Sequence, residues 1–240
     1  MQSTTALYRG CINLFRIENL TVIYGIDKPD KSYALTNIDL TLPDTGFIGI
    51  IGPSGSGKST LMYCLSMLLE PTSGEIYYNN KLLSEYSRQE RERLRRSEFG
   101  LVFQRHFLVH YMNAIDNVTV AAKENRQEAR KKGEDILFRL GIKRSELSKR
   151  PSNLSNGQRQ RVAIARAMIN DPRVLFADEP TASLDHSTAF IAVDVMREYA
   201  KNNLVFVITH DMSILKDADT VIEIWDGEIS DIKQKGESRQ

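Results

Sequence analysis

The sequence predicts an α/β protein in which helices flank a mostly parallel β-sheet. Apolar runs of strand length alternate with helical segments over most of the chain, which is typical of parallel strands joined by helices. Two runs near the N-terminus instead alternate between polar and apolar residues, which favours an N-terminal antiparallel β region. Residues 107–155 have a polar, helical pattern, which indicates an inserted helical subdomain.

We therefore expect residues 1–240 to form a single domain. Residues 15–104 and 157–230 would form the core together with the N-terminal β region, and residues 107–155 would be the insert. Strands are predicted at 15–24, 33–42, 47–51, 75–78, 99–104, 174–177 and 204–208, and helices at 59–69, 88–96, 157–169 and 187–200. Asp226–Gly227 predicts a two-residue hairpin turn, and the polar tail from residue 231 is expected to fray.

The charge composition gives no net field that points to nucleic acid or an anionic membrane surface as a partner. Lys and Arg number 32 and Asp and Glu number 31, and the two signs are mixed along the chain. No apolar stretch reaches the roughly 18 residues that cross a bilayer, and the N-terminal residues lack the pattern of a signal peptide. We expect another polypeptide to supply any membrane-spanning part. Cys11 and Cys64 are not spaced as metal ligands and fit a reducing compartment.

Residues 52–60 read GPSGSGKST, which has the spacing of a phosphate-binding loop and predicts a P-loop NTPase core. A predicted buried strand precedes the loop and an apolar helix follows it, which is the context that this motif requires. Gly52, Gly55 and Gly57 allow backbone conformations in which successive N–H groups point at phosphate oxygens. The N-terminus of the following helix adds partial positive charge, so the segment predicts binding of a nucleoside triphosphate.

Five side chains around this loop suit the chemistry of phosphoryl transfer. Lys58 would place its charge on the β- and γ-phosphates, and Ser59 would offer its hydroxyl to Mg²⁺. Asp178 and Glu179 follow a predicted core strand, at the edge where parallel sheets bind ligands. Asp178 can bind Mg²⁺ together with Ser59, and Glu179 can polarise the water that attacks the γ-phosphate. His210 follows another strand and would reach the same edge.

The order of six motifs resembles that of ATP-binding-cassette ATPase domains. They are GPSGSGKS at 52–59, Gln104, LSNGQ at 154–158, VLFADEP at 174–180, SLD at 183–185 and His210. The resemblance covers the chain from about residue 15 to about residue 230. Within the superfamily the sequence looks most similar to the compact bacterial subunits of the lipoprotein-releasing, macrolide-exporter, antimicrobial-peptide-resistance and FtsE-like group.

The resemblance implies a head-to-tail homodimer with two ATP molecules at its interface. Each ATP would contact the whole phosphate loop of one protomer, which includes Pro53, Ser54, Ser56 and Thr60, and the LSNGQ segment of the other through Ser155, Gly157 and Gln158. Gln104 would contact Mg²⁺ and the attacking water, and it joins Lys58, Glu179 and His210 as a catalytic candidate. Asp185 would contribute to the nucleotide site across the dimer. Tyr24 would stack on adenine, although a tyrosine at a strand end can equally belong to the core.

Asn156 departs from the family pattern, which usually has glycine at this position. We expect its Cβ to restrict the loop beside the γ-phosphate, although asparagine tolerates positive φ better than most residues do. Because Glu179 and His210 are present, Mg²⁺-dependent hydrolysis of ATP to ADP and phosphate remains the prediction.

The resemblance further implies a peripheral subunit on the cytoplasmic face of the cell membrane, bound to a separately encoded integral membrane permease. Hydrolysis would drive the export or extraction of a lipophilic, peptide or drug-like substrate. The alternative is an FtsE-like ATPase that transmits force through a membrane partner without transport. A soluble cassette ATPase of DNA repair or translation is disfavoured, because the sequence has one cassette, no coiled-coil or zinc insert and no basic excess. No nucleic-acid partner is expected.

In this family the stretch after Gln104 lines the groove that receives the membrane subunit. The candidates for that contact here are Phe107, Leu108, Val109, Tyr111 and Met112. Apolar residues in such a stretch can equally form the core of the helical subdomain, so the sequence leaves both roles open.

Overall fold

The computed structural model describes residues 13–27 and 29–235, so Cys11 lies outside the described residues. The described strands form two sheets. The first sheet is antiparallel and has the order β2-β1-β4-β5. Its strands are β1 (Asn13–Tyr24), β2 (Ser32–Pro43), β4 (Ser73–Tyr78) and β5 (Lys81–Leu82). The predicted N-terminal antiparallel region is therefore confirmed.

The second sheet has six strands in the order β10-β9-β3-β8-β7-β6. The strands are β3 (Gly46–Ile51), β6 (Phe99–Val102), β7 (Val174–Asp178), β8 (Leu204–Ile208), β9 (Thr220–Trp225) and β10 (Glu228–Gln234). All neighbouring pairs are parallel except β9 and β10, which form an antiparallel hairpin. This is the mostly parallel sheet that the sequence predicts.

Six α-helices connect or follow these strands in the described part of the chain. They are α1 (Lys58–Leu65), α2 (Arg88–Ser97), α3 (Ala114–Thr119), α4 (Arg126–Arg139), α5 (Asn156–Met168) and α6 (His186–Ala200). Helices α3 and α4 lie between β6 and α5, in the segment predicted as a helical insert. Within residues 13–27 and 29–235, no helix combines the length and the apolar composition needed to cross a bilayer.

Several predicted boundaries differ from the structure, and those at the ends of α1, β6 and the C-terminal tail are described here. Helix α1 ends at Leu65 rather than at residue 69, because Met67 adopts a left-handed backbone conformation with φ of 58°. Strand β6 ends at Val102 rather than at residue 104. Residues 231–234, which were expected to fray, pair with β9 as the second half of the hairpin. The hairpin turn itself is confirmed, since Asp226 and Gly227 both have positive φ, of 47° and 81°.

The large sheet separates two apolar cores. Alternate residues of its central strands face opposite sides, so that Phe47 and Val205 join one core while Ile48 and Phe206 join the other. The first core contains the buried residues of α3, α4, α5 and α6. The second contains those of α1 and of the antiparallel sheet. Because both faces are covered, the central strands are almost continuously apolar.

Strand register brings three chain segments to one edge of the large sheet. Strand β8 pairs in parallel with both β3 and β7, and Ile208 lies opposite Ile50 and Asp178. The residues that follow these strands therefore leave the sheet side by side. They are the glycine-rich loop, Glu179, and the segment that contains His210.

We expect Phe176→Ala to destabilise the fold strongly. The Phe176 ring is fully buried, and its centroid lies 5.6 Å from that of Phe99 and 5.8 Å from that of Phe206. Removing a buried aromatic side chain costs about 3–5 kcal/mol, because contacts are lost and a cavity remains. Urea unfolding at equilibrium measures the change.

Phe138→Ala is the matched control, since the Phe138 ring is 40% exposed on α4. It should lower the free energy of unfolding by less than about 1 kcal/mol. Equal losses in the two variants would contradict the placement of Phe176 at the centre of the aromatic cluster.

Candidate nucleotide site

The loop between β3 and α1 requires glycine at two positions. Gly52 has φ of 142°, and a Cβ there would lie 2.0 Å from the carbonyl oxygen of Ile224. Gly57 has φ of 101°, and its Cβ would lie 2.2 Å from the carbonyl oxygen of Ala34. The loop is therefore pressed against β9 and β2 by its own backbone. At Gly55 an added Cβ would meet nothing within 4 Å, so this part of the loop faces open space.

Buried side chains and backbone hydrogen bonds of the remaining loop residues attach the loop to the rest of the fold. Ser56 is buried, and its carbonyl oxygen accepts a hydrogen bond of 3.1 Å from the N–H of Gly227 in the β9–β10 turn. Thr60 is also buried, on the first turn of α1, whereas Ser54 is exposed. Pro53 accepts a 3.3 Å hydrogen bond from the N–H of Ser56, which closes a tight turn. The loop is thus held on one side and open on the other.

The ammonium group of Lys58 lies within the loop. It donates hydrogen bonds to the carbonyl oxygens of Gly52 at 2.9 Å and Pro53 at 2.6 Å. Burial lowers the pKa of Lys58, and the nearby negative charges of Glu179 and Asp178 partly oppose that effect. The site therefore holds a partly desolvated cation beside the exposed part of the glycine loop.

Ser59 and Asp178 meet at the end of β7. The Ser59 hydroxyl donates to Oδ2 of Asp178 at 2.7 Å. Burial raises the pKa of the Asp178 carboxyl, and the hydrogen bond from Ser59 and the charge of Lys58 oppose this rise. A hydroxyl and a carboxylate oxygen side by side are hard ligands of the kind that Mg²⁺ prefers, so the pair fits that ion.

Glu179 and His210 form the second polar pair of this edge. Glu179 has a positive φ of 49°, and its N–H donates to the carbonyl oxygen of Ile208 at 2.9 Å. Its buried Oε1 lies 3.2 Å from Nε2 of His210 without the alignment of a hydrogen bond. Burial raises the pKa of the Glu179 carboxyl, and the His210 charge works against this rise. The Glu179 side chain is 12% exposed and that of His210 is 58% exposed.

Tyr24 and Gln104 are more peripheral. Tyr24 ends β1, and its hydroxyl lies 3.3 Å from the Thr60 hydroxyl. It lines a groove of about 270 Å³ with Tyr33, Ala34 and the end of the glycine loop. The exposed Tyr33 was missed, because an aromatic residue at a strand start carries no distinct signal in the sequence.

Gln104 lies two residues beyond β6 and is exposed, and no hydrogen bond joins it to Ser59 or Asp178.

The LSNGQ segment forms the start of α5. Ser155 caps this helix: its Oγ accepts from the N–H of Gln158 at 3.1 Å, and Oε1 of Gln158 accepts from the N–H of Ser155 at 2.8 Å. A Cβ on Gly157 would lie 3.1 Å from both Leu184 Cδ2 and the carbonyl oxygen of Ser183. No hydrogen bond or ion pair joins residues 154–158 to residues 52–60 within the protomer.

Asn156 does not need the conformational freedom of glycine. It is the first residue of α5, its side chain is exposed, and it is not among the described residues with positive φ. The premise of a flexible loop at this position is therefore wrong, because the backbone is helical there. The effect of the Asn156 Cβ beside the γ-phosphate stays a prediction. The substitution changes which group is presented at the helix start, not the path of the chain.

Asp185 caps α6 in a similar way. Its carboxylate accepts hydrogen bonds from the Thr188 N–H at 3.1 Å and the Ser187 hydroxyl at 2.6 Å. These hydrogen bonds hold the pKa of Asp185 well below its ordinary value. The residue directly follows Leu184, which Gly157 approaches closely. The LSNGQ segment and the SLD segment are thus neighbours in the same protomer.

Comparison with known proteins decides the family. Residues 35–182, more than half of the chain, match the model of the family described as ABC transporter. The chain belongs to the ABC transporter family of ATP-binding proteins.

The cassette also has relatives at substantial sequence identity. It is 38% identical over 218 residues to the "Putative hemin import ATP-binding protein HrtA" of Staphylococcus epidermidis. This alignment covers 89% of this chain and 97% of the relative. It is 41% identical over 199 residues to the "Macrolide export ATP-binding/permease protein MacB" of Bartonella henselae. This alignment covers 81% of this chain and 30% of that longer protein. A solved dimeric structure of the cassette MJ0796, in a post-hydrolysis state bound to ADP and Pi, matches with a TM-score of 0.86 at 32% identity and covers 92% of this chain and 98% of that one.

These matches confirm the predicted family, the α/β fold and the ATPase activity. The cassette is an ATP-binding, ATP-hydrolysing domain, and the glycine loop, Asp178, Glu179 and His210 lie at one edge of its large sheet. The roles of the individual site residues stay predictions.

We expect Glu179→Gln to stabilise the nucleotide-free cassette at pH 8. Because burial raises the pKa of Glu179, the folded state holds the carboxyl proton more tightly than the unfolded state does. The ionised carboxylate therefore destabilises the fold above the raised pKa, and this effect disappears below the ordinary value of 4.5. The variant should be more stable than the parent at pH 8 and should lose this advantage as the pH falls towards 4.5.

Urea unfolding at both pH values measures the difference. Glu228→Gln serves as the control, because Glu228 is exposed at the start of β10. A Glu179→Gln variant that is less stable than the parent at pH 8 would contradict this prediction. It would show that the charges and hydrogen bonds around the carboxylate outweigh the free-energy cost of burying it.

Proposed function

We propose that this cassette is the Mg²⁺-dependent ATPase subunit of a membrane transport complex and that it hydrolyses ATP between two head-to-tail protomers. One observation carries the proposal. Lys58, the Ser59–Asp178 pair and the Glu179–His210 pair converge beside a glycine loop at the carboxyl edge of one sheet. This set contains the cation, the hard oxygen ligands and the base that phosphoryl transfer requires.

Lys58, Ser59 and Asp178 would bind the phosphates and the metal. Lys58 is placed to exchange the carbonyl oxygens of Gly52 and Pro53 for phosphate oxygens, which carry more negative charge. Ser59 and Asp178 would hold Mg²⁺, which neutralises part of the phosphate charge when it is bound. The N–H groups of the loop and of the α1 N-terminus would contribute further positive charge.

Glu179 would orient and deprotonate the attacking water. A buried carboxylate with a raised pKa accepts a proton at neutral pH more readily than an exposed glutamate does. The positive φ of Glu179 turns the chain sharply at the end of β7, and His210 would hold the carboxylate from the side. Gln104 would approach the same water and the metal from the end of β6.

A second protomer would complete the site. The LSNGQ segment makes no hydrogen bond to the phosphate loop of its own chain, and it presents a helix N-terminus with Ser155 and Gly157 near its tip. Helix N-termini bind anions through free N–H groups. The solved cassette MJ0796 is dimeric, which supports the same arrangement here. Gln158 and Asp185 would support this contact from the same surface.

The groove beside Tyr24 would receive the adenosine part of ATP. It lies next to the phosphate loop, has a volume of about 270 Å³ and is lined by the exposed rings of Tyr24 and Tyr33. Aromatic rings of this kind stack on the flat face of a base. We therefore include Tyr33 with Tyr24 as an adenine contact.

The segment after Gln104 would contact the membrane subunit. Of the predicted contact residues, Leu108 is buried in the core, whereas Phe107 is 63% and Tyr111 is 75% exposed. Phe107 has a positive φ of 45°, which is unfavourable for a bulky residue, and Arg166 of α5 donates to its carbonyl oxygen at 2.6 Å. The exposed ring of Phe107, on a strained backbone that α5 holds in place, and the exposed ring of Tyr111 are suited to partner binding.

The names of two relatives suggest the class of substrate. One is named for macrolide export and another for hemin import. Macrolides and hemin are both large ring compounds with extensive apolar surface. We therefore propose a lipophilic or drug-like substrate, moved by a separate permease with which this cassette associates at the cytoplasmic face of the membrane.

We expect Glu179→Gln to trap an ATP-bound dimer. Loss of the general base should lower the rate of ATP hydrolysis by about 10²–10⁴-fold while ATP binding is preserved. Size-exclusion chromatography with light scattering should show a dimer with Mg²⁺ and ATP and a monomer with ADP. Addition of Lys58→Ala to this variant is the control and should abolish the dimer. A Glu179→Gln variant that hydrolyses ATP at the parental rate would rule out Glu179 as the base.

We expect the cassette to capture an integral membrane protein from detergent-solubilised cells, and the double variant Phe107→Ala/Tyr111→Ala to lose it. Ile191→Ala is the control, since it removes an exposed apolar side chain from α6 instead. ATPase activity without the partner should stay within about twofold in all variants, because these side chains do not touch the site. Capture of a cell-wall assembly protein would favour the force-transmitting alternative. Recovery of nucleic acid or ribosomes alone would contradict both membrane functions.

A further inference from the structure

Glu146 is a buried carboxylate that the proposed reaction does not use. It ends a short 3₁₀ turn at 144–146 in the helical insert, and it is 8% exposed. Its Oε2 accepts a hydrogen bond of 2.8 Å from the N–H of Lys143. Its Oε1 accepts a hydrogen bond from Nε2 of Gln158, the last residue of the LSNGQ segment. Burying a carboxylate is costly unless its oxygens have partners, and here both oxygens have one.

The contact with Glu146 fixes the orientation of the Gln158 amide. Glu146 Oε1 accepts its hydrogen bond from Nε2, so the NH₂ end of the amide faces Glu146. The oxygen end then faces the opposite way, where it accepts from the N–H of Ser155 at 2.8 Å. Both ends of the Gln158 side chain are thereby engaged within its own protomer.

The orientation of Gln158 in turn fixes Ser155. The Ser155 N–H is bonded to Gln158, and the Ser155 Oγ accepts from the Gln158 N–H at 3.1 Å. The hydroxyl proton is the remaining donor of this side chain. Because Oγ already accepts a hydrogen bond from the first turn of α5, its own proton remains available for an acceptor outside the helix. In the proposed dimer, a phosphate oxygen bound by the second protomer would be that acceptor.

Arg161, in the second turn of α5, also stabilises the N-terminal end of this helix. Its side chain donates to the carbonyl oxygens of Leu140 and Gly141, each at 3.0 Å, and to that of Gly157 at 3.3 Å. The charge of Glu146 lies close enough to oppose the lowering of the Arg161 pKa that burial causes. Arg161 therefore links the residues that follow α4 to the first turn of α5, beside the contact between Glu146 and Gln158.

We infer that Glu146 is a positioning residue, which acts through the Gln158 amide to aim the Ser155 hydroxyl at the triphosphate bound by the partner protomer. The inference rests on the proposed head-to-tail dimer and gives Gln158 a supporting role instead of a direct contact with nucleotide. The carboxylate makes the Ser155 geometry depend on the helical insert, so movement of the insert would change affinity at the site across the dimer.

The test exchanges the two polar side chains in the hydrolysis-deficient Glu179→Gln background. In Gln158→Glu alone, two carboxylates would face each other, and the ATP concentration for half-maximal dimer formation should rise about tenfold or more. In Glu146→Gln alone, a neutral hydrogen bond replaces a charged one, and the rise should be about two- to fivefold. The double variant Glu146→Gln/Gln158→Glu restores an amide donor, a carboxylate acceptor and a Ser-x-x-Glu capping box. It should dimerise within about threefold of the parental ATP concentration.

Two further measurements separate positioning from folding. The affinity of each variant for fluorescent ADP reports the phosphate loop of its own protomer and should change by less than about twofold. Glu128→Gln, an exposed glutamate of α4, is the matched control and should behave as the parent.

Three results would overturn the inference. The first is parental dimerisation by Gln158→Glu, and the second is a double variant no better than Gln158→Glu. The third is a parallel loss of ADP binding or of cooperative thermal unfolding, which would indicate a purely structural role. Failure of the Glu179→Gln parent itself to dimerise with ATP would be visible before any of these comparisons, and would overturn the head-to-tail proposal together with the inference.

Discussion

Backbone hydrogen bonds between the parallel strands β3, β8 and β7 hold the ends of these strands level, and the chemistry of the site depends on that register. Ile50, Ile208 and Asp178 lie on one line across the sheet. A shift of one residue in any of these strands would turn its side chains to the opposite face. Because both faces carry apolar cores, such a shift would expose the core and move the polar residues away from the edge at the same time.

The charged groups at this edge are partly buried, and their burial destabilises the folded state. Burial lowers the pKa of Lys58 and raises that of Asp178 and Glu179, so desolvation works against the charged form of all three groups. The attraction between Lys58 and the two carboxylates, together with the Ser59 hydrogen bond, recovers part of this free energy. An environment that is unfavourable in the free protein is one that a highly charged triphosphate and a divalent cation can relieve. The fold therefore gives up stability for binding, as functional sites commonly do.

Much of this architecture follows from local sequence patterns. The glycine loop, the apolar strands and the Asp226–Gly227 turn each have a signal within a few residues, and the order of the motifs led to the family. The end of α1 was missed, because Met67 in a left-handed conformation has no residue-type signal. The conformation at Asn156 was also missed, since the expectation came from the glycine of the family pattern rather than from the helix that begins there. Glu146 could not be found, because its partner is twelve residues away and its burial depends on how α4 packs beside α5.

The hairpin at the end of the described chain has a consequence for the order of folding. The N–H of Gly227 supports the phosphate loop at Ser56, and its carbonyl oxygen accepts from the N–H of Thr36 at 2.8 Å. The loop is also packed against the carbonyl oxygen of Ile224. During synthesis, the residues of the loop leave the ribosome long before the hairpin that holds them. The phosphate loop therefore gains these supporting contacts only after β9 and the β9–β10 turn have been synthesised.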